Sequence, residues 1–246
     1  MLIISNGAFK SGSTWLFNIL REMTGFSPVP EEYQNPDWVN PSIHPDRLDA
    51  LLEEVNHAER DSLVKNHFGE RRQKRALLRN PNVIVFDIRR VLSDVVVSAY
   101  HHYQNKKEYE GTFHNFYWHR GRFIAMDVQA YHRLWDTPSP RTYVLSFRAL
   151  KTNFDEEVRC IGDVLGYDLN AEEIERIHEE TTLSSLRKKY QDEDFFREGG
   201  TGYGEEYLDD RMKDDIAFIQ ENDIDYSNMP VKIKEKLRGL FWGVVT

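Results

Sequence analysis

The sequence contains a single cysteine, Cys160, among 246 residues. One thiol excludes an intramolecular disulfide framework and a cysteine-based zinc cluster, and it is typical of proteins from a reducing compartment. The sequence also lacks an apolar run of membrane-spanning length, and Met1 leads directly into the first predicted strand. These absences predict a cytoplasmic protein without a signal peptide or a membrane span.

Basic residues are also fewer than acidic residues. The sequence has 32 Lys and Arg residues against 41 Asp and Glu residues, a formal net charge of −9. This balance is unfavourable for a general nucleic-acid-binding surface, so no nucleic-acid partner is expected. Any site for a polyanion must be built from a few locally placed cations. The length suits one α/β domain spanning residues 1–246.

The segment after the first apolar run has the pattern of a phosphate-binding loop. Leu2–Ile4 has the length of a short buried strand, and the following loop contains Gly7 and Gly12. The next apolar residues recur at helical spacing, at Leu16, Ile19, Leu20 and Met23. Strand, glycine-bearing turn and helix together predict an anion cradle, because the first amides of the helix point at the ligand.

This loop differs from a Walker A sequence. Ser13 and Thr14 follow Gly12 where Lys and Ser/Thr would stand, and the lysine lies inside the loop as Lys10. Moving the cation forward keeps the cradle and removes the usual magnesium position. Trp15 directly after the cradle could cover a nucleobase. The alternative reading is an ordinary glycine turn capped by Ser13 or Thr14.

Basic side chains stand at the ends of two further predicted strands. Ser62–His67 is a short strand pattern in which Lys65 and His67 alternate onto the same side. Ligands of open α/β sheets bind at the carboxyl ends of strands, so both side chains are candidates for a site there. The alternative for His67 is an isolated surface histidine.

The strongest strand signal, Val83–Ile88, is followed by Arg89 and Arg90. Ser93 is expected to cap the next helix, on which Asp94 and Ser98 share a face. Asp87 at the end of an apolar run also fits a Walker B strand, which keeps a P-loop kinase or NTPase as the alternative function.

The other stretches have simpler interpretations. The basic run at 70–79 predicts a solvated helix face or a surface for an acidic acceptor. The aromatic and histidine-rich stretch at 100–123 predicts core residues together with part of an acceptor pocket. Its histidines lack carboxylate or cysteine companions at ligand spacing, so no metal site is predicted. Helices are expected at 154–165, 171–178 and, further on, through 231–242.

Several of these segments resemble motifs of the cytosolic-type sulfotransferases. Lys10–Leu16 is similar to the K-S-G-T-T-W-L loop of that family, and Lys65-x-His67 is similar to its K-x-H element. Arg90, Asp94 and Ser98 match its R-x-x-x-D-x-x-x-S motif, and 195–202 resembles its late F-x-R-K-G-x-x-G segment. The resemblance implies an α/β P-loop fold with a central parallel sheet flanked by helices. It also implies sulfuryl transfer from 3′-phosphoadenosine 5′-phosphosulfate (PAPS), which leaves PAP, without a metal.

The resemblance assigns roles to individual residues. It implies that His67 is the general base, that Lys10 offsets charge on the leaving oxygen and that Lys65 holds the sulfuryl oxygens. The cofactor-binding residues that it implies are Lys10, Ser11, Gly12, Ser13, Thr14, Trp15, Arg90, Ser98, Thr181, Arg197 and Gly199. Two positions depart from the family pattern: Phe147 stands for a tyrosine near adenine, and Glu198 for the lysine of the late segment.

Three functions remain open from the sequence: a sulfotransferase, a P-loop kinase, and a nucleotide-binding module without activity. The acceptor is expected to be a small molecule such as a phenol, alcohol or lipid, or an acidic carbohydrate. The sequence gives no oligomeric state.

Overall fold

The structure is a computed structural model that describes residues 1–36, 42–57, 60–190 and 200–222. Its strands in chain order are β1 Leu2–Gly7, β2 Ser27–Pro28, β3 Ser62–Lys65, β4 Val83–Arg89 and β5 Thr142–Ser146. They form one parallel sheet in the spatial order β2-β3-β1-β4-β5. The central position of β1 places the end of the first strand, and the loop after it, in the middle of the sheet edge.

Helices connect and surround the strands. They are α1 Ser13–Thr24, α2 Leu48–Val55, α3 Arg71–Arg79, α4 Leu92–Asn105, α5 Phe113–Phe116, α6 Arg122–Trp135, α7 Phe147–Thr152, α8 Phe154–Leu165, α9 Ala171–Glu180, α10 Leu183–Tyr190, α11 Tyr203–Tyr207 and α12 Asp210–Glu221. Short 3-10 helices occupy Glu31–Tyr33 and Pro45–Arg47, and Tyr117–Gly121 is a π-helix. A central parallel sheet flanked by helices confirms the α/β fold predicted from the sequence.

The chain divides into two compact units. Of the described residues, those within 1–90 and 134–190 form the first unit, and those within 91–133 and 200–222 form the second. The whole sheet belongs to the first unit. The second unit contains α4, α5, most of α6, α11 and α12.

The core of the first unit forms between the sheet and the helices packed on it. The apolar stripe of α1 is buried as predicted, and α8 and α9 contribute further apolar faces to the same cluster. All six residues of β1 are buried, which is typical of a central strand covered on both faces. Such burial holds the strand ends in fixed positions.

The second unit has an aromatic core. Phe116 and Tyr117 are fully buried, and Tyr100 and Phe113 are nearly so. The Tyr117 hydroxyl lies 2.9 Å from Oδ2 of Asp215. These four rings are therefore packing residues, which leaves only the more exposed members of the stretch for the predicted acceptor pocket.

Some local predictions were wrong. Helix α4 begins at Leu92 with Val91 at its N-cap position, so Ser93 lies inside the helix and does not cap it. In the basic helix α3, Lys74 is buried and donates to the backbone oxygen of Leu134 at 2.7 Å, whereas all four arginines of the helix are exposed. The helices predicted within 231–242 lie outside the described residues.

Candidate active site

The loop between β1 and α1 has the backbone of an anion cradle. Gly12 has φ 103° and ψ 11°, in the left-handed region, and Lys10 has φ 61°, which is uncommon for a residue with a side chain. A Cβ atom at Gly12 would lie 2.5 Å from a ring carbon of Phe147, so both space and conformation require glycine there. Left-handed conformations of non-glycine residues cluster at functional sites.

Side-chain hydrogen bonds fix the loop in this shape. The Ser11 hydroxyl donates to the Ala8 carbonyl at 2.7 Å, and the Ser5 hydroxyl donates to the Ser13 carbonyl at 2.8 Å. Ser11 is fully buried and Ser13 nearly so, and the Ser11 amide also donates to the Ala8 carbonyl, at 3.2 Å. The first turn of α1 carries no acidic residue. The positive end of the helix therefore remains suited to an anion.

The structure brings together the three predicted catalytic residues beside this loop. Lys65 Nζ lies 2.8 Å from His67 Nε2, and His67 Nδ1 lies 2.5 Å from the Gly7 carbonyl oxygen. A carbonyl oxygen only accepts, so Nδ1 carries the proton and donates to Gly7. Nε2 is then the unprotonated nitrogen, and it accepts a hydrogen bond from the Lys65 ammonium.

Burial and mutual repulsion lower the pKa values of this cluster. Burial and then the neighbouring Lys10 lower the pKa of Lys65 to about 8. Burial, Lys65 and Lys10 lower the pKa of His67 to about 3, while the bond to Gly7 acts in the opposite direction. Three basic groups that disfavour each other's charge form a site in which an anion would be stabilised.

The two arginines at the end of β4 have different environments. Arg89 pairs with Asp87 at 3.1 Å and with Asp136 at 2.5 Å, so it is bound into the scaffold. The Arg90 guanidinium lies 4.6 Å from the centre of the Phe147 ring and 3.5 Å from the Lys10 carbonyl. Arg90 is therefore the arginine beside the loop, in agreement with its position in the motif.

Trp15 and Thr181 are held by neighbours within the same unit. Trp15 meets Phe147 edge-on at 5.6 Å and stacks on Phe154 at 6.1 Å. Thr181 is buried at the end of α9, and its hydroxyl donates to the Ile177 carbonyl at 2.7 Å. With its proton used in the helix end, the Thr181 hydroxyl can serve a ligand only as an acceptor.

In the second unit, the R-x-x-x-D-x-x-x-S motif continues along α4. Ser98 is half-buried, and Asp94 is 1% exposed. The Asp94 carboxylate accepts from the amide of Gly202 at 3.0 and 3.1 Å and from the amide of Gly204 at 3.1 Å. No local sequence pattern predicts this role, because the carboxylate and the two glycines are more than a hundred residues apart.

Other predicted features are only partly covered by the structure. Arg197, Glu198 and Gly199 lie outside the described residues. Among the residues that are described, no group of three or more His, Cys, Asp or Glu residues could hold a metal ion. No helix in the described ranges is long and apolar enough to cross a membrane.

Comparison with solved structures shows the same fold in sulfotransferases. The mouse sulfotransferase SULT7A1 complexed with PAP has 16% identity and a TM-score of 0.66, with 97% of this chain and 88% of that chain covered. Retinol dehydratase in complex with androsterone and PAP has 19% identity and a TM-score of 0.61, with 93% and 83% covered. A second retinol dehydratase structure, with retinol and PAP, has 17% identity, the same TM-score, and 93% and 82% covered.

Sequence comparison gives the family directly. No curated protein matches the sequence. The family model of the sulfotransferase domain matches residues 2–228, which is most of the chain. The match confirms the resemblance noted in the sequence and does not favour the kinase alternative. The chain therefore belongs to the sulfotransferase domain family.

Proposed function

We propose that the protein transfers a sulfuryl group from PAPS to a hydroxyl or amine of an acceptor, with His67 as general base. The observation that carries this proposal is the cluster of Lys10, Lys65 and His67 beside the anion cradle. The PAP in the solved sulfotransferase and retinol dehydratase structures supports PAPS as the donor.

The residues of the cradle fit such a donor. The backbone of Ser11–Thr14 would hold the 5′-phosphate, and Arg90 would bind the 3′-phosphate from its place beside the loop. Trp15 would stack on adenine. Ser98, Thr181, Arg197 and Gly199 complete the proposed cofactor-binding set by resemblance.

The chemistry of the proposed reaction follows from charge. PAPS supplies an activated sulfuryl group and a good leaving group. The acceptor oxygen forms a bond to sulfur as the bond from sulfur to the bridging oxygen breaks, and the acceptor proton passes to Nε2 of His67. Lys10 offsets the charge on the departing oxygen, and Lys65 holds the sulfuryl oxygens. The two ammonium groups would thus supply the charge stabilisation that a metal ion could otherwise give.

The hydrogen bond between Lys65 and His67 sets a condition on this step. The lone pair of Nε2 accepts from the Lys65 ammonium, so the base is available only when Lys65 moves away. Negative charge in the cradle would attract the ammonium and offset both lysines. The same charge would raise the pKa of His67 from about 3 towards the range of an effective base.

The environment of Asp87 weighs against the kinase. A kinase would use Asp87 as a metal-associated group, but it is fully buried and paired with Asn6 and Arg89. Its carboxylate serves the scaffold of the sheet.

The acceptor class is proposed from the relatives. Retinol and androsterone, each bound in a retinol dehydratase structure, are small apolar molecules that carry hydroxyl groups. We therefore propose a small alcohol or phenol as the acceptor. A single domain over residues 1–246 and a cytoplasmic location also remain proposals.

An acceptor screen tests the function. The protein is incubated with PAPS and a panel of phenols, alcohols, amines and acidic carbohydrates, and both PAP and the sulfated product are measured. We expect His67→Ala to lower turnover about 10²- to 10⁴-fold while PAP still binds, because general-base catalysis is worth that much. His57→Ala, at an exposed histidine after α2, is the matched control and should retain full activity.

Two results would contradict the proposal. If His67→Ala sulfates acceptors as fast as wild type, His67 is not the general base. PAP binding without transfer to any acceptor would favour the inactive nucleotide-binding module.

A further inference from the structure

The middle of the sheet contains two buried polar side chains among apolar neighbours. Asn6 on β1 and Asp87 on β4 are partners in the strand register, and both are fully buried. The Asn6 amide nitrogen donates to Oδ1 of Asp87 at 3.0 Å. A carboxylate in a sheet interior is costly unless it is fully paired, so apolar packing does not account for this pair.

The carboxylate fixes the orientation of the Asn6 amide. The second oxygen of Asp87 accepts from Arg89 Nε at 3.1 Å, and Arg89 also binds Asp136. With both carboxylate oxygens acting as acceptors, only the NH₂ group of Asn6 can face Asp87. The amide oxygen of Asn6 is therefore turned away from β4, towards the segment that follows β3.

That oxygen binds the residue next to His67. The Phe68 amide donates to Oδ1 of Asn6 at 3.2 Å. Two other bonds hold the same segment to the end of β1: the Asn66 amide donates to the Ser5 carbonyl at 3.0 Å, and His67 Nδ1 donates to the Gly7 carbonyl. The Asn6 side chain thus continues the hydrogen bonding between β1 and the chain that follows β3. It fixes the backbone of Phe68, the residue after His67.

We propose that Asn6, oriented by Asp87, is a positioning residue that holds the His67 imidazole in its reactive orientation. The inference rests on the proposed role of His67 as the base. Without the bond to Phe68, the segment would keep the Asn66 and His67 bonds to the end of β1 but would lose the one that holds the backbone after the ring. A displacement of about 1 Å at a reacting group costs on the order of 10²-fold in rate, so the effect falls on turnover rather than on donor binding.

Asn80 supplies a matched control in the same unit. It is also a buried asparagine with two hydrogen bonds: its amide nitrogen donates to the Leu52 carbonyl at 2.9 Å, and its oxygen accepts from the Asn82 amide at 2.9 Å. Asn80→Ala therefore removes a similar set of contacts without touching the His67 segment.

The experiment compares full-length Asn6→Ala and Asn80→Ala with wild type. Three quantities are measured: the ¹⁵N chemical shifts of the His67 ring, the Kd for PAP, and kcat with the acceptor found in the screen. We expect Asn6→Ala to change the His67 ring shifts and to lower kcat at least tenfold, with the Kd for PAP within about threefold. Asn80→Ala should lower Tm but leave the ring shifts and kcat unchanged.

A second variant is used in case Asn6→Ala does not fold. Asp87→Asn keeps an acceptor for Asn6 but places an NH₂ group against Arg89, so we expect the same direction of change with a smaller amplitude. Ring shifts and kcat like those of wild type in the folded variant would overturn the inference, as would an equal kcat loss in Asn80→Ala. If neither Asn6→Ala nor Asp87→Asn folds, the pair is a determinant of the fold and the inference is also wrong.

Failure of the proposed function is distinguishable from failure of this inference. Full activity in His67→Ala would show that His67 is not the base, independently of any role of Asn6. The ¹⁵N shifts of His67 report the orienting bond in the resting protein and do not depend on turnover.

Discussion

The pKa of His67 predicts how the stability of the protein depends on pH. Burial and the neighbouring lysines lower this pKa to about 3, whereas an unfolded histidine titrates near ~6.5. Between these values the unfolded chain binds a proton that the folded protein does not. The free energy of unfolding therefore falls as the pH drops below ~6.5, and the loss from this group levels off near pH ~3.

The size of the effect follows from the shift. Each pH unit within this window costs about 1.4 kcal/mol, so the wild type should lose about 1.4 kcal/mol through His67 between pH ~7.5 and ~5.5. His67→Asn removes the titrating group and keeps an N–H that can donate to Gly7. Urea unfolding of both proteins at the two pH values gives the difference, in which the groups common to both cancel.

The control for this experiment is His57→Asn, at the exposed histidine after α2. It should follow the wild-type pH dependence. An equal loss of stability in wild type and His67→Asn between the two pH values would show that the pKa of His67 is not lowered on folding, because His67 would then take up its proton equally in both states.

Three further predictions concern the site and its supports. Lys65 has a pKa of about 8 and is proposed to hold the sulfuryl oxygens, so PAPS binding should weaken up to about tenfold between pH ~7 and ~9. Lys65→Arg should remove that dependence in calorimetric titrations. Phe147→Leu loses the ring under Arg90 and should weaken PAP binding about 2- to 30-fold, whereas Phe147→Tyr should not. Asp94→Ala leaves the amides of Gly202 and Gly204 without their acceptor and should cost about 2–4 kcal/mol in urea unfolding.

The sequence was informative where the pattern is local. Apolar runs and helical stripes indicated β1, α1, β4 and α8, because each depends on residues close in sequence. The alternation of Lys65 and His67 correctly indicated that both side chains lie together at a strand end, at 2.8 Å in the structure.

The features that were missed depend on register and long-range pairing. Asp87 fitted a metal-associated strand end until the register placed it against Asn6. The bonds from Gly202 and Gly204 to Asp94 join positions more than a hundred residues apart, which no periodicity reveals. Lys74 was predicted to lie on a solvated face because it is charged. The local sequence does not reveal that the Leu134 carbonyl accepts a hydrogen bond from it.

The most direct test of the central claim is a calorimetric titration of the protein with PAP and with ADP in the presence of EDTA. The two ligands carry the same number of phosphates on adenosine, and only PAP places one at the 3′ position for Arg90. We expect PAP to bind at least tenfold more tightly than ADP, which corresponds to about 1.4 kcal/mol for a charge-assisted contact. ADP binding as tightly as PAP, or more tightly, would contradict this expectation.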